Sequence, residues 1–345
     1  MRALKSLSWG IVAFFVAGPL ASGQSLSDTE EVVPLEAIAS RNAQFTGWDR
    51  YLGLGLTGTL NENKNVVGKD DGQSTTLGLK IEGAVDFKEG QQQWLNSLNV
   101  FVAYSRTPQL PNYLKSEDTL QLESLYKYYL ESTPWLGFFA RVSLDTALFP
   151  GYDNRFEITT YRKLYSDGTE ELLDGERIRL TDKFRPMRFR ESLGSIAQLI
   201  DNQLFQWDVK LGLGMRQILA DGQFVIDNDS STAEIELREL ANYEKAGYEF
   251  GTEISGQTED KRVTYKFRGD VLFPFYESPS VDDDRSNFDK RIIDINGSVS
   301  FHLLEWASLD YLLKVVRDPD IIDQAQLSQT YLFSVNKMLT PRRTH

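Results

Sequence analysis

The chain has 345 residues, with 37 Lys or Arg against 50 Asp or Glu and a formal net charge of −13. That balance excludes a nucleic-acid binder, which grips phosphates through a basic face. It has no cysteine and only two histidines, His302 and His345, so disulfides, thiolate chemistry and a multi-histidine metal centre are excluded too.

In chain order, Arg2 and Lys5 precede an apolar stretch from Trp9 to Ala17 and the small residues Ala21, Ser22 and Gly23. A charged, then apolar, then small-residue order is that of a cleaved secretory signal, expected over residues 1–23. Residues 24–48 are polar with no sustained period and read as a short periplasmic extension. After the N-terminus no apolar run approaches the roughly 18 residues a spanning helix needs.

From residue 49 to 339 the dominant signal is period two. Leu77, Leu79, Ile81, Val85 and Phe87 alternate with Gly78, Lys80, Glu82, Ala84 and Asp86. Val263, Tyr265, Phe267, Val271 and Phe273 alternate with Thr264, Lys266, Arg268 and Asp270, and Ile293, Ile295, Val299 and Phe301 with Asp294, Asn296, Ser298 and Ser300. Such alternation gives a strand one apolar face and one polar face. Weaker versions start at Leu52, Trp94, Leu120, Phe138, Met187, Trp207, Tyr248, Ala307 and Ala325, for about twelve strands. Many exceed the roughly 9–11 residues that cross a bilayer at a tilt, well above the average globular strand of about 5–6. The expectation is an all-β fold: a transmembrane antiparallel β-barrel of about twelve strands, inserted in lipid and lipopolysaccharide, with residues 340–345 as a tail.

Short joins near Gly90, Pro134, Asn202, Glu259 and Glu305 alternate with long ones at 61–74, 107–117, 150–185, 220–247 and 276–288 and a moderate one at 318–324. Outer-membrane barrels place short turns in the periplasm and long loops outside. Trp48, Trp94, Trp135, Trp207 and Trp306 each sit near a strand start on the short-turn side, the pattern of an aromatic girdle at one membrane boundary. Within the longest join, Ser166-Asp167-Gly168 is a hairpin signal between Phe156–Leu164 and Glu176–Thr181.

Several stretches resemble a family of Gram-negative proteins known only as predicted outer-membrane β-barrels of unknown function, seen chiefly in Bacteroidetes-like sequences. They are Trp94 to Asn99, Lys115-Ser116-Glu117-Asp118 leading into Leu120 and Leu122, Phe149-Pro150-Gly151-Tyr152, and Gln329-Thr330-Tyr331. The resemblance implies the barrel and carries no activity. Barrel-assembly machinery is an implied partner, although the chain departs from the usual terminal aromatic by running on through Thr340 to His345.

The inward face should carry charge of both signs: Lys80, Arg141, Glu249, Glu253, Arg262, Lys266, Arg268 and Asp294. These side chains either line a narrow channel or small-solute transporter, the leading reading, or fill the closed lumen of a structural or surface-interaction barrel working through its long acidic loops. The spacing of Ser300-Phe301-His302 resembles that of outer-membrane phospholipases, where histidine activates serine as a nucleophile; the pair faces the lumen near a short turn without an orienting partner, so no enzyme activity and no cofactor are expected, a lipid-active enzyme being the minor alternative. Asp282-Asp283-Asp284 and Asp318, Asp320 and Asp323 make the outer loops acidic, with divalent cations as candidate partners.

Overall fold

The computed structural model describes residues 45–63, 72–106, 113–202, 204–227, 232–278, 285–286, 288–304, 306–319 and 322–340. The expected signal peptide, the C-terminal tail beyond Thr340, and Asp282, Asp283, Asp284 and Asp320 lie outside the described residues. The strands are β1 (Gly47–Asn63), β2 (Gly72–Glu89), β3 (Gln92–Arg106), β4 (Leu114–Leu130), β5 (Thr133–Thr146), β6 (Gly151–Leu164), β7 (Glu170–Thr181) and β8 (Met187–Asp201). They continue with β9 (Phe205–Leu219), β10 (Phe224–Ile226), β11 (Ile235–Glu239), β12 (Tyr243–Gln257), β13 (Val263–Ser278), β14 (Ile292–Leu304), β15 (Ala307–Asp318) and β16 (Ile322–Thr340).

Twelve of these strands form a closed antiparallel barrel in the order β1-β16-β15-β14-β13-β12-β9-β8-β5-β4-β3-β2. They are the twelve that period two marks. The ring closes where β1 meets β16, through six residue pairs from Leu52↔Thr340 to Thr57↔Ser334, whereas β1 pairs β2 along its whole length. β1 opens at Gly47, so Trp48 belongs to the wall rather than to an extension. The last outer connection is shorter than its sequence suggests, because β15 runs to Asp318 and β16 starts at Ile322.

The barrel is inside-out. Leu56, Phe138, Val142, Leu193, Leu211 and Tyr248 are exposed on its outer wall. The buried positions belong largely to polar and charged side chains such as Arg141, Lys210, Glu249, Arg268 and Asp270. The pleat forces this outcome, since neighbours on a strand point to opposite faces. Trp48, Trp94, Trp135 and Trp306 are exposed at the short-turn end, and Trp207 joins them partly buried. Trp48 packs on Phe87 at 5.1 Å and on Trp94 at 6.0 Å.

The other four strands form a separate sheet beyond the long-loop end, ordered β10-β11-β6-β7. Asp167-Gly168 turns the β6–β7 hairpin, with Gly168 at φ 83 and its N–H donating to the Tyr165 carbonyl at 3.0 Å. Such a turn needs a positive φ, which glycine adopts without strain. The β9–β12 join contributes β10 and β11, and β11 lies parallel to β6 in register Ile235↔Tyr161. Two long joins therefore build one sheet over a core of Tyr161, Leu180, Phe224 and Leu237.

Glycine shapes the wall of β8 and β9. Gly194 and Gly212 face each other across the ladder, and a Cβ on Gly212 would lie 2.1 Å from the Leu193 carbonyl oxygen. Gly212→Val should therefore destabilise the folded barrel by about 3 kcal/mol, the upper end of over-packing costs. Gly58, whose Cβ would meet nothing closer than 3.9 Å, should accept valine almost without effect. Urea midpoints of the refolded barrel, read by heat-modifiable gel migration, check both; equal midpoints would refute the close-approach argument.

Candidate functional site

The lumen is crossed by arginine. Arg141 on β5 reaches over β8 and β9, donating from Nε to Ser192 Oγ at 3.0 Å, from Nη2 to Glu249 Oε1 at 2.5 Å and from Nη1 to Asp270 Oδ2 at 3.2 Å. The inner faces of β8, β9 and β12 present Gly194, Gly212, Gly214 and Gly251 along this route, and a Cβ on Gly214 or Gly251 would press on Glu249 or Asp270. Glycines thus clear the space that the guanidinium and its carboxylates occupy.

The network continues around the ring. Glu249 also accepts from Arg216 Nη2 at 2.5 Å, and Asp270 from Arg268 Nε at 2.9 Å and Arg190 Nη1 at 3.4 Å. Arg268 Nη1 reaches Glu123 on β4 at 2.6 Å, nearly across the barrel, and Arg190 pairs with Asp294 on β14. Arg141, Arg190, Arg216 and Arg268 therefore face Glu123, Glu249, Asp270 and Asp294, four charges against four. Arg141, Glu249, Arg268 and Asp270 are at most 2% exposed. Buried charges persist only when paired and hydrogen-bonded, and planar guanidinium forks suit several carboxylates at once.

Below this layer, toward the short turns, Lys127 pairs with Asp208 at 2.6 Å, and Glu253 takes Lys210 at 3.0 Å and Lys266 at 3.1 Å. A cavity of about 60 Å³ beside Lys127, Asp208, Glu253 and Lys266 opens here, room for a few waters by the usual volume per molecule. Under the ring's other half, Asp310 accepts hydroxyl hydrogen bonds from Ser300, from Ser308 at 3.2 Å and from Ser334 at 2.7 Å. Phe101, Ala103 and Leu312 pack together nearby inside the wall.

Of the charged residues expected in the lumen, Lys80, Arg141, Glu249, Lys266, Arg268 and Asp294 are buried inside, Lys80 pairing with Glu82 on its own strand, and Glu253 is partly buried there. Arg262 is a correction. Its side chain is 79% exposed in the β12–β13 turn, 3.9 Å from Asp260. Asp260 ends the ladder one residue early by accepting from Thr258 Oγ1 at 2.6 Å and from the Arg262 N–H at 3.1 Å. Those same bonds hold the Asp260 carboxyl below its usual range. Asp318 is a second correction: it is buried at the end of β15, accepting from the Tyr243 hydroxyl at 2.5 Å, rather than solvated in a loop. The Ser300–His302 pair does not form, because Ser300 bonds Asp310 while His302 Nε2 lies 3.3 Å from Thr264 Oγ1.

Sequence reasoning missed Glu123, Arg190, Arg216 and Asp270 as members of the network and the joining of two loops into one sheet. That sheet is clasped to the barrel by Asp118, which accepts from the N–H groups of Leu148 and Phe149 at 2.9 and 2.8 Å and from Lys115 at 2.7 Å. Lys115 also reaches the Phe149 carbonyl at 2.9 Å. Inside the sheet, burial and the Asp153 carboxylate, 2.8 Å from its hydroxyl, push the Tyr161 phenol up to about 12. Among the described residues no group of three or more His, Asp or Glu is arranged to hold a metal ion.

Residues 68–152, from just before β2 into the start of β6, match the family described as Protein of unknown function (DUF3078). The motif stretches at 94–99, 115–118 and 149–152 fall within that match. No curated protein matches the chain. Among solved structures the chain is similar to an outer membrane channel from Pseudomonas putida F1, at 12% identity over 86% of this chain and 96% of that one, TM-score 0.37. It is also similar to the translocator domain of the autotransporter NalP from Neisseria meningitidis, at 9% over 88% and 92%, TM-score 0.38. A third is the P. putida toluene transporter TodX, at 9% over 87% and 91%, TM-score 0.33.

Removing one partner from a buried charge network leaves another unpaired, which costs about 3–5 kcal/mol. Arg141→Ala should destabilise the barrel by that amount, and a cycle with Glu249→Gln should show coupling of at least about 1 kcal/mol; additive urea midpoints would refute the cross-lumen bond. The outer sheet should respond to alkali, because a phenol raised from about 10 in the unfolded chain stabilises fully below pH 10 and loses that contribution as pH rises toward 12. Tyr161→Phe should remove this loss, as read by the pH dependence of thermal unfolding of the sheet; an unchanged profile would refute it.

Proposed function

We propose that the chain is an outer-membrane barrel, closed at rest, that anchors its outer sheet at the cell surface for interaction with molecules outside. Membrane insertion is supported by the continuous apolar outer wall, since water-soluble proteins rarely expose apolar patches beyond a few hundred Å². The tryptophan rim and the contrast between short and long joins point the outer sheet away from the periplasm.

The observation that carries the closed reading is the Arg141–Glu249–Asp270 crossing, where fully paired charges occupy the lumen with almost no exposed surface. A barrel of about eight strands is just filled by side chains. With twelve strands, filling takes long side chains that meet across the lumen. A second reading, a gated path for small ions, draws on the cavity between Lys127, Lys266 and Glu253. Re-pairing those side chains would be its opening step.

Two measurements test this. Ser166→Cys, on the outer hairpin, should label on intact cells with a membrane-impermeant maleimide, while Gln93→Cys, at the short-turn mouth, should label only after permeabilisation. The reverse pattern would overturn the orientation. In planar bilayers the wild-type barrel should show no steady conductance at low voltage; stable open levels would overturn the closed lumen and favour the gated path.

A further inference from the structure

The chain re-enters the wall at β8 after a short join, Asp182-Lys183-Phe184-Arg185-Pro186. Two hydrogen bonds fix that join to the rim. The Phe184 N–H donates to the Ala147 carbonyl at 2.8 Å, and Arg185 Nη1 donates to the Leu219 carbonyl at 3.2 Å. Ala147 directly follows β5 and lies twelve residues beyond Trp135, while Leu219 ends β9 and lies twelve residues beyond Trp207. Twelve strand residues at about 3.3 Å each and a tilt of about 40° rise about 30 Å, the thickness of a bilayer's hydrocarbon core. Both tryptophans stand at the short-turn boundary, so the join stands at the opposite one.

Phe184 has φ 56, a left-handed backbone that a bulky aromatic residue adopts only under constraint. Its ring is 40% exposed, and Phe149 in the neighbouring join is 46% exposed, so burial in a protein core does not offset the strain. Backbone strain of this kind gathers at ligand clamps, and exposed aromatic rings gather where hydrocarbon meets water. The residues on either side of Phe184 are cations. Lys183 is exposed and Arg185 partly buried. Among the described residues neither has a carboxylate within ion-pair distance, because the adjacent acid, Asp182, is engaged by Arg179 at 3.1 Å. Arg185 spends one of its five donors on Leu219 and keeps the rest,. The two Cα atoms are at most about 7.6 Å apart, within the span over which two long side chains reach one anion.

We infer that Lys183 and Arg185, with Phe184 as an apolar anchor, hold a phosphate group of an outer-leaflet lipid. Lipid phosphates lie just outside the hydrocarbon boundary, the level at which the two cations are fixed, and the aromatic ring meets the start of the acyl chains. A soluble anion would use the charges and leave Phe184 and Phe149 in water. The leaflet rests on the orientation proposed above; binding in detergent micelles does not depend on which way the barrel points, so the two can fail separately.

The test is native mass spectrometry of the full chain in non-ionic detergent, titrated with diphosphorylated lipid A, with dioleoylglycerol as the lipid lacking phosphate and inorganic phosphate as the anion lacking lipid. Lipid A should give a saturable single adduct that weakens as salt rises, and dioleoylglycerol should bind at least about tenfold more weakly, as expected when a charge-assisted contact is lost. Lys183→Ala and Arg185→Ala should each weaken the adduct about tenfold, and Arg185→Lys should recover part of the loss. Lys183 loses no ion pair on truncation, so its variant should keep the wild-type temperature of heat-modifiable gel migration. Phe184→Gly should raise that temperature, since glycine takes a positive φ without strain, while weakening the lipid adduct. No lipid A adduct, equal affinity for dioleoylglycerol, displacement by an equal concentration of inorganic phosphate, or full affinity in both alanine variants would overturn the assignment.

Discussion

Closing twelve strands into a ring whose outer wall is apolar obliges every second residue to point into a space that water cannot fill cheaply with isolated ions. The rest of the structure follows from how that space is occupied. A lone buried charge is strongly disfavoured, and removing one member of a buried pair is far costlier than keeping both. Here the solution is collective. Arg141 contacts one hydroxyl and two carboxylates, and each of those carboxylates is shared with another arginine. The bare glycine wall of β8, β9 and β12 is the geometric counterpart, because a methyl group on Gly214 or Gly251 would collide with the carboxylates the arginine needs.

A lumen fixed in this way makes the outer rim a stable place to build. Asp118 takes the backbone of Leu148 and Phe149 as the chain leaves β5, which sets the angle at which the hairpin departs. Gly151 then donates to Thr181 Oγ1 at 2.9 Å, closing the base of the hairpin just before the chain re-enters the wall at β8. Long loops without structure of their own are uncommon in compact folds, and these two joins avoid that condition by pairing with each other. The parallel β11–β6 contact brings together chain segments about seventy residues apart.

The barrel was largely legible in the sequence because period two is a local signal that each strand carries alone. All twelve wall strands and the Asp167-Gly168 hairpin announce themselves in this way. The inward charges on long strands were legible by the same parity, and Arg262 failed because parity says nothing about where a ladder stops; the Asp260 turn decides that. The partners of Arg141 were not legible, since Glu249 and Asp270 lie more than one hundred residues away and which inward charges meet depends on the curvature of the whole ring. β10 and β11 were missed for a related reason. They are three and five residues long, too short for alternation to register, and they exist because β6 offers β11 an edge and β11 in turn pairs β10.

Charge balance links the two ends of the molecule. The innermost layer is neutral, four guanidinium groups against four carboxylates, so the chain's acidic excess lies outside that layer, in part on buried acids such as Asp310. Against that background Lys183 and Arg185 at the outer rim, with no carboxylate within ion-pair distance among the described residues, form a local exception. The inner network, meanwhile, costs several kcal/mol to break, because removing one partner leaves a buried ion. The outer sheet is joined to the barrel away from it, at the rim, where the N–H groups of Leu148 and Phe149 donate to Asp118 and those of Ala220 and Asp221 to Asn242.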